Sequence, residues 1–267
     1  MKVALLCGGK GSRWTRHADD VPKALAMIGD RPVLWHVMVV YSASGFNDFV
    51  LCLGHKGDQV RAYFEAHSDM RYDESGALLV HPAPSVTWRV QLVDTGDDAQ
   101  TGARLLAVRD QLEGQRFLAS YGDGLARIDI NDLVAFHNRH GHVATMTVVQ
   151  PRSQFGLVTI SDSGAVSGFI EKPRLSQWVN GGYFVFEPSV FEYLNMGPLE
   201  NGALVALTGD SQLVAYRLDD FWACLDTYKD LITLDDLWQA GSPPWSTWSE
   251  WKTGTAKVST GTTAASL

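Results

Sequence analysis

Residues 2–13 read KVALLCGGKGSR and give the strongest indication of the fold class. Residues 2–7 form a short, continuous apolar run, the pattern of a β-strand buried on both faces. A glycine-rich turn follows directly, and residues 32–41 have helical spacing after a proline suited to the first helical position. The order strand, glycine turn, helix predicts a parallel α/β sheet that binds ligands at the carboxyl ends of its strands.

The same alternation continues along the chain. Strands are predicted at 49–53, 90–93, 117–121 and 144–149, with helices at 58–66, 101–112 and 131–140. Asp129 and Asp132 are placed to open the last of these helices, where acids favour the positive helix end. From about Phe155 short strands dominate (156–160, 166–170, 183–186), and a helix follows at 228–238. We therefore predict a Rossmann-like α/β fold, a mixed, mostly parallel sheet flanked by helices, with a small β-rich C-terminal extension.

Composition excludes several classes of protein. With 45% hydrophobic and 19% charged residues in 267, the chain can bury an ordinary core as a single domain, predicted over 1–252. The net charge of -8 argues against nucleic acid or an anionic membrane as a partner. No apolar stretch is long enough for a signal peptide or a membrane span, so a cytoplasmic protein is expected. Residues 253–267 are poor in large apolar groups and are predicted to be a disordered tail.

The cysteines and histidines suggest no catalytic or metal site by their spacing. Cys7 and Cys52 lie in apolar runs and are expected to be buried thiols. Cys224 lies near Asp226, but no partner supports a covalent role. His55, His137 and His140 are interpreted as ordinary helix and loop residues.

The glycine-rich turn has two interpretations. Glycines allow backbone N–H groups to approach a phosphate, and Arg13 together with the Pro22-Lys23 pair supplies cations. The turn is neither a Walker A loop nor a dinucleotide fingerprint. The alternative is a tight strand-to-helix turn with surface cations.

Taken together, these residues resemble the signature of the sugar nucleotidyltransferase family, L-x-G-G-x-G-x-R followed by P-K. Further motifs resemble the glucose-1-phosphate cytidylyltransferase branch of that family: PVLWHVM at 32–38, VDTGD at 93–97, TG at 101–102, YGDG at 121–124, FG at 155–156, EKP at 171–173, NGG at 180–182, FW at 221–222 and DT at 226–227. The segments 71–86, 193–199 and 222–225 depart from it, and 223–225 read ACL where the branch more often has QPM.

The resemblance implies that the chain joins CTP and a sugar 1-phosphate, with α-D-glucose 1-phosphate favoured, to give a CDP-sugar and pyrophosphate. Residues 1–150 would bind the nucleotide and residues 151–240 the sugar phosphate, and a homo-oligomer is implied. The resemblance assigns nucleotide binding to Leu6, Gly8, Gly9, Gly11, Ser12, Arg13, Lys23, Thr101, Gly102 and Asp123. Base or ribose recognition is expected near Asp94, Asp97 and Asp98.

Asp123, in Tyr121-Gly122-Asp123-Gly124, and Asp226 are the predicted ligands of Mg²⁺, which takes one or two carboxylates plus substrate phosphates. For Asp123 alone, an ordinary turn aspartate is the alternative.

The resemblance places Tyr121, Glu171, Lys172, Asn180 and Gly181 around the sugar phosphate. For Glu171 and Lys172 a surface ion pair is the alternative. Trp178 either stacks on a sugar or packs in its loop.

The implied chemistry is direct attack of the sugar phosphate on the α-phosphorus, with Arg13, Lys23 and Lys172 as the catalytic cations. Another acceptor phosphate, UTP or dTTP, and an inactive sugar-nucleotide sensor stay open as alternatives. Trp245, Trp248 and Trp251, spaced by three, form either a subunit contact or part of the core.

Overall fold

The structure, a computed structural model, describes residues 1–9, 21–112 and 114–246. Its strands are β1 (Val3–Leu6), β2 (Met27–Ile28), β3 (Arg31–Pro32), β4 (Asp48–Leu53), β5 (Leu78–Ala83), β6 (Val86–Asp94), β7 (Phe117–Tyr121), β8 (Gly124–Ala126), β9 (Ala144–Val149), β10 (Leu157–Ile160), β11 (Val166–Ile170), β12 (Val179–Phe186), β13 (Leu213–Arg217) and β14 (Trp222–Cys224). Its helices are α1 (Val33–Ser42), α2 (Gly57–Ala66), α3 (Thr101–Ala107), α4 (Ile130–His140), α5 (Ala203–Gly209) and α6 (Tyr228–Gln239).

A central sheet of eight strands organises the molecule, in the order β13-β9-β12-β7-β1-β4-β6-β5. Strands β7, β1, β4 and β6 pair in parallel, as do β13 and β9. Strand β12 runs antiparallel to both β7 and β9, and the edge strand β5 runs antiparallel to β6. The predicted mixed, mostly parallel sheet is confirmed. Strand β12 of the predicted extension lies inside this sheet, whereas β10 and β11 form a separate two-stranded hairpin.

Two hydrophobic cores cover the two faces of the sheet. All four residues of β1 are buried, and they alternate between the cores: Leu5 packs in one and Leu6 in the other, as the two-residue period of a strand requires. Helix α1 is buried along all ten residues against the first core. Both cores draw residues from before and after residue 150. The division of the chain into a nucleotide part and a sugar part stays a prediction.

The helix ends show how the sequence sets local structure. Asp129 caps α4 by accepting a hydrogen bond from the Asn131 N–H at 2.8 Å, and Gly141 ends the helix with φ of 68°, so the predicted opening is confirmed. The predicted helix at 101–112 is too long: α3 ends at Ala107, and a separate 3₁₀ turn follows at Asp110–Leu112. Pro32 precedes α1 as its N-cap rather than occupying its first turn.

Candidate active site at the carboxyl ends of the strands

Two aspartates from distant parts of the sequence meet at one edge of the sheet. Asp123 follows β7, and Asp226 follows β14. Strands β8 and β14 pair antiparallel, with Cys224 opposite Gly124, and the Leu225 N–H donates to the Asp123 carbonyl at 2.9 Å. This short ladder brings the two carboxylates together.

The position of Asp226 is fixed by the start of α6. Thr227 caps that helix, and its side chain and backbone both bond to Asp230 in a capping box. The Asp230 carboxylate also accepts the Asp226 N–H at 3.1 Å. The backbone around Asp226 is therefore held by α6, and its carboxylate is directed toward Asp123.

Lys23 lies between the two aspartates. Its Nζ is 2.6 Å from Oδ2 of Asp123 and 2.9 Å from Oδ1 of Asp226. Pro22 precedes it, and a 3₁₀ turn at Lys23–Leu25 fixes its backbone. Burial opposes the charge on Lys23, but the Asp123 carboxylate and both hydrogen bonds outweigh it and raise the pKa of the ammonium. Lys23 is thus a cation that compensates two neighbouring carboxylates.

Cys224 completes this cluster. Its Sγ is 3.9 Å from Oδ1 of Asp123, and ligand atoms of Asp123, Cys224 and Asp226 all lie within 4.8 Å of one another. Burial, and then the charge of Asp123, raise the pKa of the Cys224 thiol to about 12. The thiol is therefore protonated at neutral pH, which argues against a nucleophilic role. Cys7 and Cys52 are buried, as predicted.

A cavity of about 590 Å³ opens beside Lys23 and Asp123. Its volume lies in the range of small-molecule sites. It is bounded by the end of β1, the turn after β7 and the segment leading into α3, and its lining comprises Leu6, Cys7, Gly8, Gly9, Lys23, Ala24, Asp97, Asp98, Ala99, Gln100, Thr101, Arg104, Tyr121, Gly122 and Asp123. Gly8 and Gly9 thus line the same cavity as Lys23 and Asp123.

Arg104 is a buried cation in the wall of this cavity. Only 3% of the residue is exposed. Its guanidinium donates to the carbonyl oxygens of Gly8 at 2.8 Å, Leu53 at 2.9 Å and Gly96 at 2.9 Å, and to the Thr95 hydroxyl at 2.7 Å. Arg104 therefore ties the glycine turn to the loops that follow β4 and β6.

The glycines around Arg104 have different reasons for lacking a side chain. A Cβ on Gly8 would lie 2.3 Å from Nη1 of Arg104, and a Cβ on Gly54 would lie 2.2 Å from the same atom. Among the residues that the structure describes, none has an atom within 4 Å of a Cβ on Gly9, which is exposed and lines the cavity. Gly8 makes room for the arginine, whereas Gly9 leaves its backbone open to a ligand.

Thr101 and Gly102 connect the cavity to residues 195–200. The Thr101 hydroxyl donates to Oε2 of Glu200 at 2.9 Å and accepts from the Leu199 N–H at 2.7 Å. A Cβ on Gly102 would lie 2.6 Å from the carbonyl oxygen of Gly197. Of the two, Thr101 lines the cavity, while Gly102 permits close packing of α3 against this segment.

Tyr121 and Asn180 meet on the other side of Asp123. Nδ2 of Asn180 donates to the Tyr121 hydroxyl at 3.1 Å, and Oδ1 of Asn180 accepts the Gly182 N–H at 2.8 Å. Gly182 has φ of 83°, and a Cβ there would lie 2.7 Å from the Tyr121 ring. The Gly181 carbonyl accepts from Nε1 of Trp222 at 2.8 Å. These contacts join β12 to the turn that carries Asp123.

Glu171 and Lys172 form an exposed pair of opposite charges. Their charged atoms are 3.7 Å apart, with side chains 61% and 51% exposed, and neither lines the cavity. The Glu171 carboxylate lies beside Gly156, where a Cβ would be 2.8 Å from Oε2. Lys172 has φ of 46° directly before Pro173. A left-handed lysine is uncommon and is found mostly where function or tight packing requires it.

The family model described as nucleotidyl transferase matches residues 2–242. The chain belongs to the nucleotidyl transferase family. It is 38% identical over 255 residues to the probable glucose-1-phosphate cytidylyltransferase of Bacillus subtilis (strain 168), covering 93% of this chain and 100% of the relative. It is 37% identical over 257 residues to the glucose-1-phosphate cytidylyltransferase of Salmonella typhi, again with 93% and 100% coverage.

Solved structures confirm the fold of this nucleotidyl transferase. A putative glucose-1-phosphate thymidylyltransferase from Bacillus anthracis, in complex with a sucrose, superimposes with a TM-score of 0.62 at 23% identity, covering 89% of this chain and 94% of that one. The predicted family and its sugar-1-phosphate nucleotidyltransferase class are confirmed by the family model and the relatives.

The predicted site residues fall into three groups. The structure brings together Lys23, Asp123 and Asp226, and it places Leu6, Gly8, Gly9, Thr101 and Tyr121 around the adjoining cavity. Asn180 and Gly181 lie beside Tyr121, with Glu171 and Lys172 at the periphery. Gly11, Ser12 and Arg13 lie outside the described residues, as do Trp248, Trp251 and residues 253–267. The individual roles of these residues stay predictions.

Two charged residues of the site were missed in the sequence. Arg104 lies within TGAR at 101–104, and only its spacing to the predicted Thr101 and Gly102 hinted at a role. Glu200 lies just beyond a segment that departs from the branch and has no motif of its own.

Trp245, the first of the three spaced tryptophans, is 1% exposed and packs against His36 and Phe221 in the core of its own chain.

No helix in the described parts of the chain has the length and apolar character to cross a membrane. The cytoplasmic location stays a prediction.

Proposed function

We propose that this nucleotidyl transferase joins CTP to α-D-glucose 1-phosphate and releases CDP-glucose and pyrophosphate. The single observation that carries the chemistry is the Lys23–Asp123–Asp226 cluster, two of whose members, Lys23 and Asp123, line a cavity together with Gly8 and Gly9. The substrates are supported by the names of relatives that this chain matches over their full length.

Asp123 and Asp226 would hold a Mg²⁺ ion in this proposal. Two carboxylates are the oxygen ligands that Mg²⁺ prefers, and the ammonium of Lys23 already lies between them as a stand-in cation. When bound, the metal would supply neutralisation of the phosphate charges that the reaction brings together. The donor set of the two aspartates fits that role, and the substrate phosphates would complete it.

In this proposal the chain's own positively charged side chains bind and orient the phosphates. Lys23 is close enough to the cavity to face the α-phosphate, and the backbone of the glycine turn is open at Gly9. Arg13 is proposed to stabilise the departing pyrophosphate and Lys172 to orient the sugar phosphate. No general base is needed, because a phosphate monoester with a second pKa of about 6 is largely ionised at neutral pH. Positioning and charge neutralisation therefore account for the reaction.

The test is pyrophosphate release over a matrix of nucleotides and acceptors. CTP, UTP, dTTP, ATP and GTP are each combined with several sugar 1-phosphates, with Mg²⁺ or with excess EDTA. We expect turnover with CTP and glucose 1-phosphate that is lost in EDTA and in Asp123→Ala. Turnover with another acceptor would move the sugar assignment and leave the mechanism. Nucleotide binding without any turnover would overturn the proposal in favour of a sensor.

We also propose that the chain forms a homo-oligomer through the β10–β11 hairpin. A two-stranded hairpin alone is marginal in water, yet this one exposes a cluster of large apolar side chains, namely Leu157, Val158, Ile160, Val166, Phe169 and Ile170. A second copy of the chain is the proposed cover. Light scattering after size exclusion tests this: Phe169→Ser should reduce the molar mass, while an unmodified chain that elutes as a monomer would refute it.

A further inference from the structure

Glu200 accepts hydrogen bonds with both carboxylate oxygens. Its Oε2 accepts from the Thr101 hydroxyl at 2.9 Å, and its Oε1 accepts from the Tyr121 hydroxyl. All three residues are half-buried. Thr101 and Tyr121 both line the cavity beside Lys23 and Asp123. Glu200 therefore joins two parts of that wall that are not neighbours in sequence.

The direction of every hydrogen bond in this network is fixed by two backbone donors. The Gly182 N–H requires that Oδ1 of Asn180 faces it, so Nδ2 of Asn180 points to the Tyr121 hydroxyl. The Tyr121 oxygen then accepts from Asn180, and its proton is directed to Glu200. On the other side, the Leu199 N–H donates to the Thr101 oxygen, whose proton is also directed to Glu200.

Both hydroxyls thus donate to Glu200, which accepts two hydrogen bonds and donates none, as an ionised carboxylate does. The Tyr121 hydroxyl therefore donates to Glu200, because its other partner, Nδ2 of Asn180, is itself a donor. Removing the carboxylate would free the phenol to rotate and would release Asn180.

We propose that Glu200 is a positioning residue for the acceptor sugar, acting through Tyr121 on the amide of Asn180. The inference rests on the proposed function, since it takes the acceptor to be a sugar 1-phosphate whose hydroxyls Asn180 reads. The Asn180 amide has a second N–H besides the one donated to Tyr121, and the orientation of the amide is set by the network rather than by the sugar. Glu200 touches no reacting atom in this role. Its contribution is that the amide is oriented before the sugar arrives.

Steady-state kinetics separates positioning from general stability. With CTP saturating, Glu200→Ala should raise the KM for glucose 1-phosphate about tenfold, the effect of roughly one lost hydrogen bond, while the KM for CTP, measured with glucose 1-phosphate saturating, should rise by a clearly smaller factor. Glu200→Gln should restore most of the affinity, because one amide oxygen still accepts from Tyr121. Tyr121→Phe should raise the same KM, and the double variant should be no worse than Tyr121→Phe alone. Glu192→Ala, at an exposed position of the 3₁₀ turn Pro188–Glu192, is the control and should change neither KM.

A second readout keeps this inference distinct from the proposed function. In ¹H–¹⁵N spectra the side-chain amide signals of Asn180 should shift in Glu200→Ala and Tyr121→Phe, and should stay near their original positions in Glu200→Gln and Glu192→Ala. If the unmodified chain turns over no sugar phosphate, the proposed function fails, and these spectra alone decide whether Glu200 holds Asn180. Unmoved Asn180 signals in Glu200→Ala, or equal losses of affinity for both substrates, would overturn the inference.

Discussion

Acidification should destabilise the chain through His36, a buried histidine in α1. The residue is 1% exposed. Its Nε2 lies 3.0 Å from the Ile28 carbonyl oxygen, and its Nδ1 lies 3.4 Å from Nε1 of Trp245. A carbonyl only accepts and an indole N–H only donates, so Nε2 carries the proton and Nδ1 is the acceptor. The neutral ring fits both partners, and a second proton would oppose the Trp245 donor.

The size of the effect follows from the pKa of His36, which burial lowers to about 4 from the ordinary 6.5. Between these values the unfolded chain binds a proton that the folded chain does not, so stability falls as the pH decreases. Each pH unit in this window costs about 1.4 kcal/mol. From pH 7.5 to pH 4.5 the loss from this one residue is therefore roughly 2–3 kcal/mol.

Urea unfolding followed by far-ultraviolet circular dichroism at pH 7.5, 6.0 and 4.5 measures this loss. His36→Gln should lose about 1–2 kcal/mol at pH 7.5, because the paired ring is replaced, and should show a dependence on pH that is flatter by about 2 kcal/mol. His81→Gln, at an exposed histidine, is the matched control and should follow the unmodified chain. If His36→Gln loses as much stability on acidification as the unmodified chain, the reasoning is refuted.

Three further predictions concern the active site. Gly8→Ala places a Cβ 2.3 Å from the guanidinium of Arg104, so the free energy of unfolding in urea should fall by about 1–3 kcal/mol and CTP should bind more weakly by calorimetry. Gly9→Ala is the control and should change stability little, because no described residue has an atom within 4 Å of the added Cβ; equal effects of the two variants would contradict the assigned contacts. Asp226→Asn should lower kcat for pyrophosphate release roughly 100- to 1,000-fold while the circular dichroism spectrum stays unchanged. A decrease of kcat below tenfold would show that this carboxylate has no direct role in the reaction. Because its pKa is raised, Cys224 should react with a thiol reagent at pH 8 far more slowly in the native chain than in the chain unfolded in urea. Equal reaction rates in the two states would argue against a raised pKa of Cys224.

The sequence predicted the parts of this fold that depend on local pattern. The apolar run of β1 and the acid at the start of α4 each act within a few residues, and the structure has them where they were expected. The strands β8 and β14 are three residues each, too short for a periodic signal. Their pairing brings Asp123 to Asp226, and only the resemblance to a family linked the two aspartates before the structure did.

The residues that were missed owe their roles to long-range packing. Arg104 looks like an ordinary cation on a short helix, and its burial depends on carbonyl oxygens supplied by three different loops. Glu200 follows an irregular segment and receives its partners from α3, at Thr101, and from the end of β7, at Tyr121. Neither pattern is visible along the chain, because the acceptors and donors converge only when the sheet forms.

The position of Lys23 reconciles the two roles that this cluster requires. Two like charges about 4 Å apart repel by about 4 kcal/mol at an effective dielectric constant of 20, so Asp123 and Asp226 need a compensating cation in the free chain. Lys23 supplies it, at 2.6 Å and 2.9 Å. In the proposed function, a divalent cation that takes both carboxylates would displace this ammonium, which would then face the phosphates in the adjoining cavity. Charge compensation in the free chain and phosphate binding in the complex would then be successive states of one side chain, and both would depend on Asp226, the carboxylate that the Asp226→Asn variant removes.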